Sequence, residues 1–206
     1  ITTLFNNQST NSTNQITANG QSIQLWKNKG TFASNIIWSG GMTYNTSTPN
    51  SGTYPSLRLV SSSTTTITVG VTSIFYVASF AGGSIYGNFP GLLGNGSSNY
   101  LYGIRDGTGI GNQLTSSTVY VNGNTTNAVP NIQALAIFEV ISASTTNLSN
   151  AQIGRGDSQA IWNGYVSEII MFNTVLTTEQ RQIIEGYLAQ KWGLASSLPA
   201  NHPYKQ

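Results

Sequence analysis

Cysteine is absent from the 206 residues, which excludes disulfides, thiolate metal sites and a cysteine nucleophile. Charge is scarce as well. Asp, Glu, Lys and Arg make up 7% of the chain, against about 25% in an average soluble domain. The 8 cations and 6 acids are scattered, with Lys27 and Lys29 the one close cationic pair. The dense basic surface that neutralises phosphates is therefore missing, and a nucleic-acid partner is not expected. A single histidine, His202, leaves no imidazole cluster for zinc. The longest apolar run, 134–141, is interrupted by Glu139 and is far too short to span a bilayer, so no membrane insertion is expected. The chain starts at Ile1 without a charged segment leading into an apolar one, which reads as a processed chain or part of a longer one.

What remains is hydroxyl- and amide-rich. Ser, Thr and Asn supply about a third of the residues and there are 22 Gly, a composition of short strands, turns and neutral polar surfaces rather than of helices. Hydrophobic residues at 38% and aromatics at 10% suffice for one sizeable core. Residues 1–22, with an unbroken polar run from Asn6 to Thr13, read as a polar arm, and 23–206 as the folded domain. Within it, strands are expected at 23–26, 57–60, 64–71, 74–80, 100–104, 118–121, 134–141, 151–154 and 165–172. Asn122-Gly123 suits a tight hairpin, since both residues tolerate positive φ. With no repeat and no interior linker, the expected architecture is all-β: a two-sheet antiparallel sandwich with one C-terminal amphipathic helix.

The helix has a defined start and stop. Thr177 and Gln180 form a potential capping box, and Gly193 is a natural terminator. Ile183, Ile184, Tyr187, Leu188 and Trp192 form an expected apolar stripe, which leaves Glu179, Arg181, Glu185 and Lys191 on the remaining, solvated faces. Leu198-Pro199 and His202-Pro203 then force an extended tail.

The run from Gly164 to Asn173, Leu176-Thr177, the helix through Glu185-Gly186-Tyr187-Leu188-Ala189-Gln190-Lys191-Trp192-Gly193-Leu194, and Leu198-Pro199-Ala200-Asn201-His202-Pro203-Tyr204 closely resemble the end of laminin-G-like, concanavalin A-like jelly-roll domains of viral and bacterial surface proteins. Looser matches, in the same chain order, are Trp26 with its turn, Val119-Tyr120-Val121-Asn122-Gly123 and Ile153-Gly154-Arg155. The resemblance implies a jelly roll that binds glycans or proteins or decorates a larger particle, although a fold by itself does not assign a function. One departure bears on metal binding. Related domains read Trp-x-Asp-Lys-Ser-Gly where this chain has Trp26-Lys27-Asn28-Lys29-Gly30, so a charged oxygen ligand is replaced by an amide.

Catalytic constellations are thin. Glycoside hydrolysis needs two acids spaced by about 5–9 Å. Glu139 and Glu168 stand alone in their strands and are read as a buried hydrogen-bonding acid and an exposed charge; Glu179 and Glu185 are read as solvated helix partners of Arg181 and Lys191. No Gly-x-Ser-x-Gly elbow is present, and His202 is read as a packing or turn residue, so no enzyme is expected. No cofactor is required; calcium is the candidate metal, with Asp106 and Asp157 in Gly-rich loops as its ligands, although Asp also forms turns by itself.

Binding rests on aromatics in polar loops, where a sugar ring can stack on a face while amides and hydroxyls bond its oxygens. The candidates are Trp38, Tyr44, Tyr54, Tyr86, Tyr100, Tyr102 and Trp162. In β proteins such residues are also packing residues. The expected function is a non-enzymatic extracellular or virion-surface module for attachment or particle decoration by weak multivalent carbohydrate binding, with host-surface glycoconjugates and further copies of itself as partners. The alternatives are a self-assembling structural subunit of a capsid, fibre or filament without glycan binding and, third, a glycoside hydrolase or its accessory module.

Overall fold

A computed structural model describes the chain apart from residues 1–2, 12–13, 16–17, 24, 32–34, 38–41, 48–53, 61–62, 64, 82–89, 104–109, 115, 127, 129–132, 157–160 and 206. For residues 3–11, 14–15, 99 and 102–103 the backbone alone is described. The strands in chain order are β1 (Thr3–Asn11), β2 (Asn14–Gln15), β3 (Leu25–Asn28), β4 (Ile36–Ile37), β5 (Thr43–Asn45), β6 (Ser56–Leu59) and β7 (Ile67–Phe80). They continue with β8 (Gly91–Gly94), β9 (Asn99–Gly103), β10 (Ile110–Asn112), β11 (Ser117–Val121), β12 (Asn124–Thr125), β13 (Ala136–Ile153) and β14 (Gly164–Phe172). One helix, α1 (Thr178–Lys191), follows, with a 3-10 turn at Ala195–Ser197. The protein is mostly β, antiparallel in every strand pairing described, with one α-helix.

Strand order along the main path is β10-β9-β8-β13-β7-β14-β1-β3-β4. Two long strands carry it. β7 joins the segments expected separately at 64–71 and 74–80, and β13 joins 134–141 to 151–154. The polar residues between the apolar segments remain in the ladder, because shifts in register at 141/146 and 148/151 absorb the extra residues. β13 pairs with β7 along nearly its whole length, from Ala136 to Ala151, with β11 over its first half and with β8 at its end. Thr3–Asn11, inside the stretch read as an arm, is a strand between β14 and β3. Its incorporation rests on backbone bonds, which any polar sequence can make.

The apolar runs of β7, β13 and β14 bury both faces. Ile74, Tyr76 and Ala78, with Phe138, Val140, Val166 and Met171, enter the main core together with Trp26 and Trp162. Phe75, Val77, Ile137, Ile170 and Phe172 face the other way, against Leu188, Ala189, Trp192, Leu194 and Leu198 of the C-terminal segment. A strand covered on both sides reads as a continuous apolar run rather than an alternating one. Each large side chain so buried contributes about 1.5–3 kcal/mol of hydrophobic stabilisation.

The expected turn signals are in place. Asn122 and Gly123 adopt φ of 49° and 76° between β11 and β12, and Asn122 Oδ1 accepts from Ile137 N–H at 2.9 Å. Thr177 caps α1 in a full capping box with Gln180. At the other end Gly193 takes φ 67°, and Leu194 N–H closes onto Ala189 C=O at 2.7 Å, a Schellman-type stop.

The helix is rotated from the expected stripe. Arg181, Glu185, Gly186, Leu188 and Ala189 are buried, whereas Ile183 and Tyr187 are about half exposed. Glu185 is thus not the solvated charge expected of it, and neither Glu139 nor Glu168 is an exposed one: all three are fully buried. Among the described residues no helix is long and apolar enough to cross a membrane.

Candidate functional site: the acid clamps and tyrosine groove of the C-terminal helix

Buried charge is costly unless paired, so the fully buried acids locate whatever chemistry the described structure holds. Two clusters result, on strands either side of β7 and both under α1.

The first is centred on Glu168 of β14. Its Oε1 accepts from Tyr187 Oη at 3.1 Å, and its Oε2 accepts from Trp192 Nε1 at 2.6 Å and from Lys191 Nζ at 2.9 Å. Lys191 also donates to Tyr187 Oη at 2.9 Å and lies over the Tyr187 and Trp192 rings. A carboxylate holding three donors from the end of the helix and its C-cap is a fastener: each bond is charge-assisted, and together they fix the rotation of the helix on the sheet. Burial pushes the Tyr187 hydroxyl up from its usual range, so it stays a donor. Lys191 is held above its usual range by the Tyr187 bond and the Glu168 charge, against the opposing effect of burial.

The second cluster joins Glu139 of β13 to Arg181, Glu185 and His202. Arg181 bonds Glu185 one turn along the helix, stands 3.7 Å from Glu139 and covers the Tyr120 ring at 4.0 Å. His202 Nε2 meets Glu185 Oε2 at 2.8 Å, and its Nδ1 accepts from Tyr204 N–H at 3.2 Å, which leaves Nε2–H as the donor to Glu185. Burial first, and the Glu185 carboxyl second, hold the Glu139 carboxyl well above the usual carboxylate range, with Arg181 opposing. Glu185 and the Gly123 backbone approach Glu139 closely enough to bias its proton, but neither Glu139 oxygen makes a bond of hydrogen-bond geometry. A neutral Glu139 beside an Arg181–Glu185 pair leaves the buried cluster without net charge.

Neither cluster is an open acid pair. Glu139 and Glu168 lie on different strands separated by β7, each under its own part of α1. His202 packs as expected, but as the partner of Glu185. Among the described residues no three of His, Cys, Asp and Glu are arranged to hold a metal ion. Sequence reasoning missed both clusters. The available signal was a lone Glu inside each of two otherwise apolar strands, plus the Arg181–Glu185 spacing of one helical turn.

The predicted aromatic ligand residues separate. Trp162 is fully buried, donates from Nε1 to Ser79 C=O at 3.1 Å and packs edge-on to Phe80. Tyr100 is buried too, and its hydroxyl accepts from Ser149 N–H at 3.0 Å. Both rings are members of the main core rather than faces open to a ligand, because strand pairing and not the polarity of their sequence neighbours sets their direction. Tyr44 is half-buried against the main core, and Tyr54 packs half-buried against the helix side, where its ring presses on Gly193. Trp38, Tyr86, Asp106 and Asp157 lie outside the described residues, as does the side chain of Tyr102.

A different pair of aromatics lines a surface groove of about 570 Å3, formed by Gly186, Tyr187 and Gln190 of α1 with Pro203 and Tyr204 of the tail. Tyr187 is 45% exposed and Tyr204 39%. The tail reaches the helix because residue 186 is glycine: a Cβ there would stand 2.4 Å from Tyr204 Cβ.

Comparison with protein-family models, curated proteins and solved structures gives no match. The geometry above is therefore what bears on function.

Proposed function

We propose that this protein is a non-enzymatic jelly-roll module of a virion or cell exterior, used for attachment or particle decoration through weak, multivalent carbohydrate binding. The observation that carries this reading is the commitment of the buried acids. Glu139, Glu168 and Glu185 are spent fastening α1 to the sheet, out of reach of a substrate, whereas a ligand-sized groove on the surface of the described residues is lined by uncharged side chains, two of them aromatic. Antiparallel strands around one large core, with long strands feeding neighbouring sheet regions, support the two-sheet jelly roll. A surface solubilised by hydroxyls and amides rather than charge suits repeated display on an assembly.

The test is a broad glycan array probed with the intact chain, with and without a calcium chelator. Binding to a defined glycan class is the expected result, and its loss on chelation would bring back Asp106 and Asp157 as candidate calcium ligands. A blank array would favour the self-assembling structural subunit, to be sought as filaments or lattices by electron microscopy.

A further inference from the structure

The groove between α1 and the C-terminal tail has the features of a built ligand site. Its two exposed rings are fixed rather than free. Tyr187 is held at its hydroxyl by Glu168 and Lys191. Tyr204 is held through its backbone, with its N–H donating to His202 Nδ1 and its C=O accepting from Gln190 Nε2 at 3.3 Å, and its Cβ sits against Gly186. Rings positioned before binding lose little entropy when a ligand arrives. The volume of about 570 Å3 falls in the small-ligand range of about 300–1,000 Å3. Five lining residues are far fewer than the 20–30 or so per side of a stable protein interface.

The chemistry of the lining selects the ligand. All five residues are uncharged, and the nearby Lys191 ammonium is matched by Glu168 at 2.9 Å. A phosphate, sulfate or carboxylate would find no cation among these lining residues. Aromatic faces beside a prolyl ring and a side-chain amide instead suit a ligand with apolar C–H faces and a polar rim, which is the make-up of a neutral sugar ring.

We infer that the Tyr187–Tyr204 groove is the carbohydrate site of this protein and that it takes one or two neutral pyranose rings. This inference rests on the proposed carbohydrate-binding reading and adds its location and ligand class. The experiment is calorimetric titration and saturation-transfer NMR of the intact chain with cellotriose, mannotriose, galactotriose and sialyllactose. At least one neutral trisaccharide should bind, with saturation transfer from tyrosine protons, and sialyllactose should bind no more tightly. Tyr204→Ala should weaken binding about three- to tenfold, as the loss of one stacking ring does, while Tyr204→Phe keeps most of it. Circular dichroism of each variant checks that the fold is kept, and because the chain has 10 Tyr it is the loss of tyrosine transfer in folded Tyr204→Ala that ties the signal to this groove. Neutral-sugar binding that is unchanged in folded Tyr204→Ala and shows no tyrosine transfer would overturn this site but not the carbohydrate reading. Preference for sialyllactose would overturn the ligand class, and no binding to any of the four would overturn the site and its ligand class, while a blank on the broad glycan array is what overturns the carbohydrate reading itself.

Discussion

The bond from Trp192 Nε1 to Glu168 should be among the most consequential single contacts of the C-terminal segment, and a double-mutant cycle measures it. Both partners are buried and the separation is 2.6 Å. Trp192→Phe removes the donor and part of the ring while keeping an aromatic in the pocket. The lost charge-assisted bond is worth about 1.5–3 kcal/mol, and the smaller ring adds roughly 1 kcal/mol of lost burial and packing. The expected cost is about 3 kcal/mol, or roughly 6–12 °C in melting temperature for a domain of this size. Glu168→Met strips the acceptor from Trp192, Tyr187 and Lys191 together. Breaking a buried pair costs about 3–5 kcal/mol, and the 31% exposure of the Lys191 side chain places this case at the low end. In the Glu168→Met background Trp192→Phe no longer breaks a bond and relieves an orphaned indole N–H. The two changes should therefore couple by about 2 kcal/mol in urea unfolding followed by far-ultraviolet circular dichroism. Additivity within about 0.5 kcal/mol would refute the claim that Glu168 fastens the helix through Trp192.

Three further outcomes are expected. Because burial holds a proton on Glu139 in the folded state that the unfolded chain releases near pH 4.3, about the free glutamate value, this residue makes stability fall as pH rises above that point. Glu139→Gln should match the parent near pH 4 and exceed it at pH 7–8 in denaturant titrations; a gap that does not change across this range would refute a protonated Glu139. Gly186→Ala, which in an ordinary helix interior gains about 1 kcal/mol, should instead cost about 1–3 kcal/mol through the 2.4 Å approach to Tyr204 Cβ, and a raised melting temperature would count against the tail contact. Gly193→Ala should cost more than the roughly 1–2 kcal/mol of a left-handed residue, because its Cβ would also meet the Tyr54 ring at 2.2 Å; a loss below 1 kcal/mol would show that the ring moves aside freely.

Local signals in the chain were read correctly where one segment decides its own conformation. The capping box at Thr177 and Gln180, the stop at Gly193 and the hairpin at Asn122-Gly123 each depend on a few neighbouring atoms, and each is formed as expected. Apolar periodicity likewise located β3, β6, β7, β9, β11, β13 and β14, because burial follows the pleat, but not the other strands, β1 among them, whose polar or short segments carry no such signal. Whether two segments fuse into one long strand depends instead on the partner strand, as β7 and β13 show for each other.

The face of α1 was decided only by tertiary structure. Hydropathy turns Ile183 and Tyr187 inward, yet the sheet presents Glu139 and Glu168 to the helix. Burying those acids requires Arg181, Lys191, the Tyr187 hydroxyl and the Trp192 indole to face them. Trp162 and Tyr100 likewise sit in polar stretches of sequence but turn inward, since a side chain's direction is set by strand pairing and not by its neighbours' polarity. By itself the sequence determined an antiparallel β protein with a capped terminal helix, because turns, caps and periodicity are short-range. Tertiary structure alone decided which acids are fastened, which aromatics are hidden and that Tyr187 and Tyr204 share a groove, because those pairings join residues distant along the chain or on separate elements, whose meeting only the packed fold specifies.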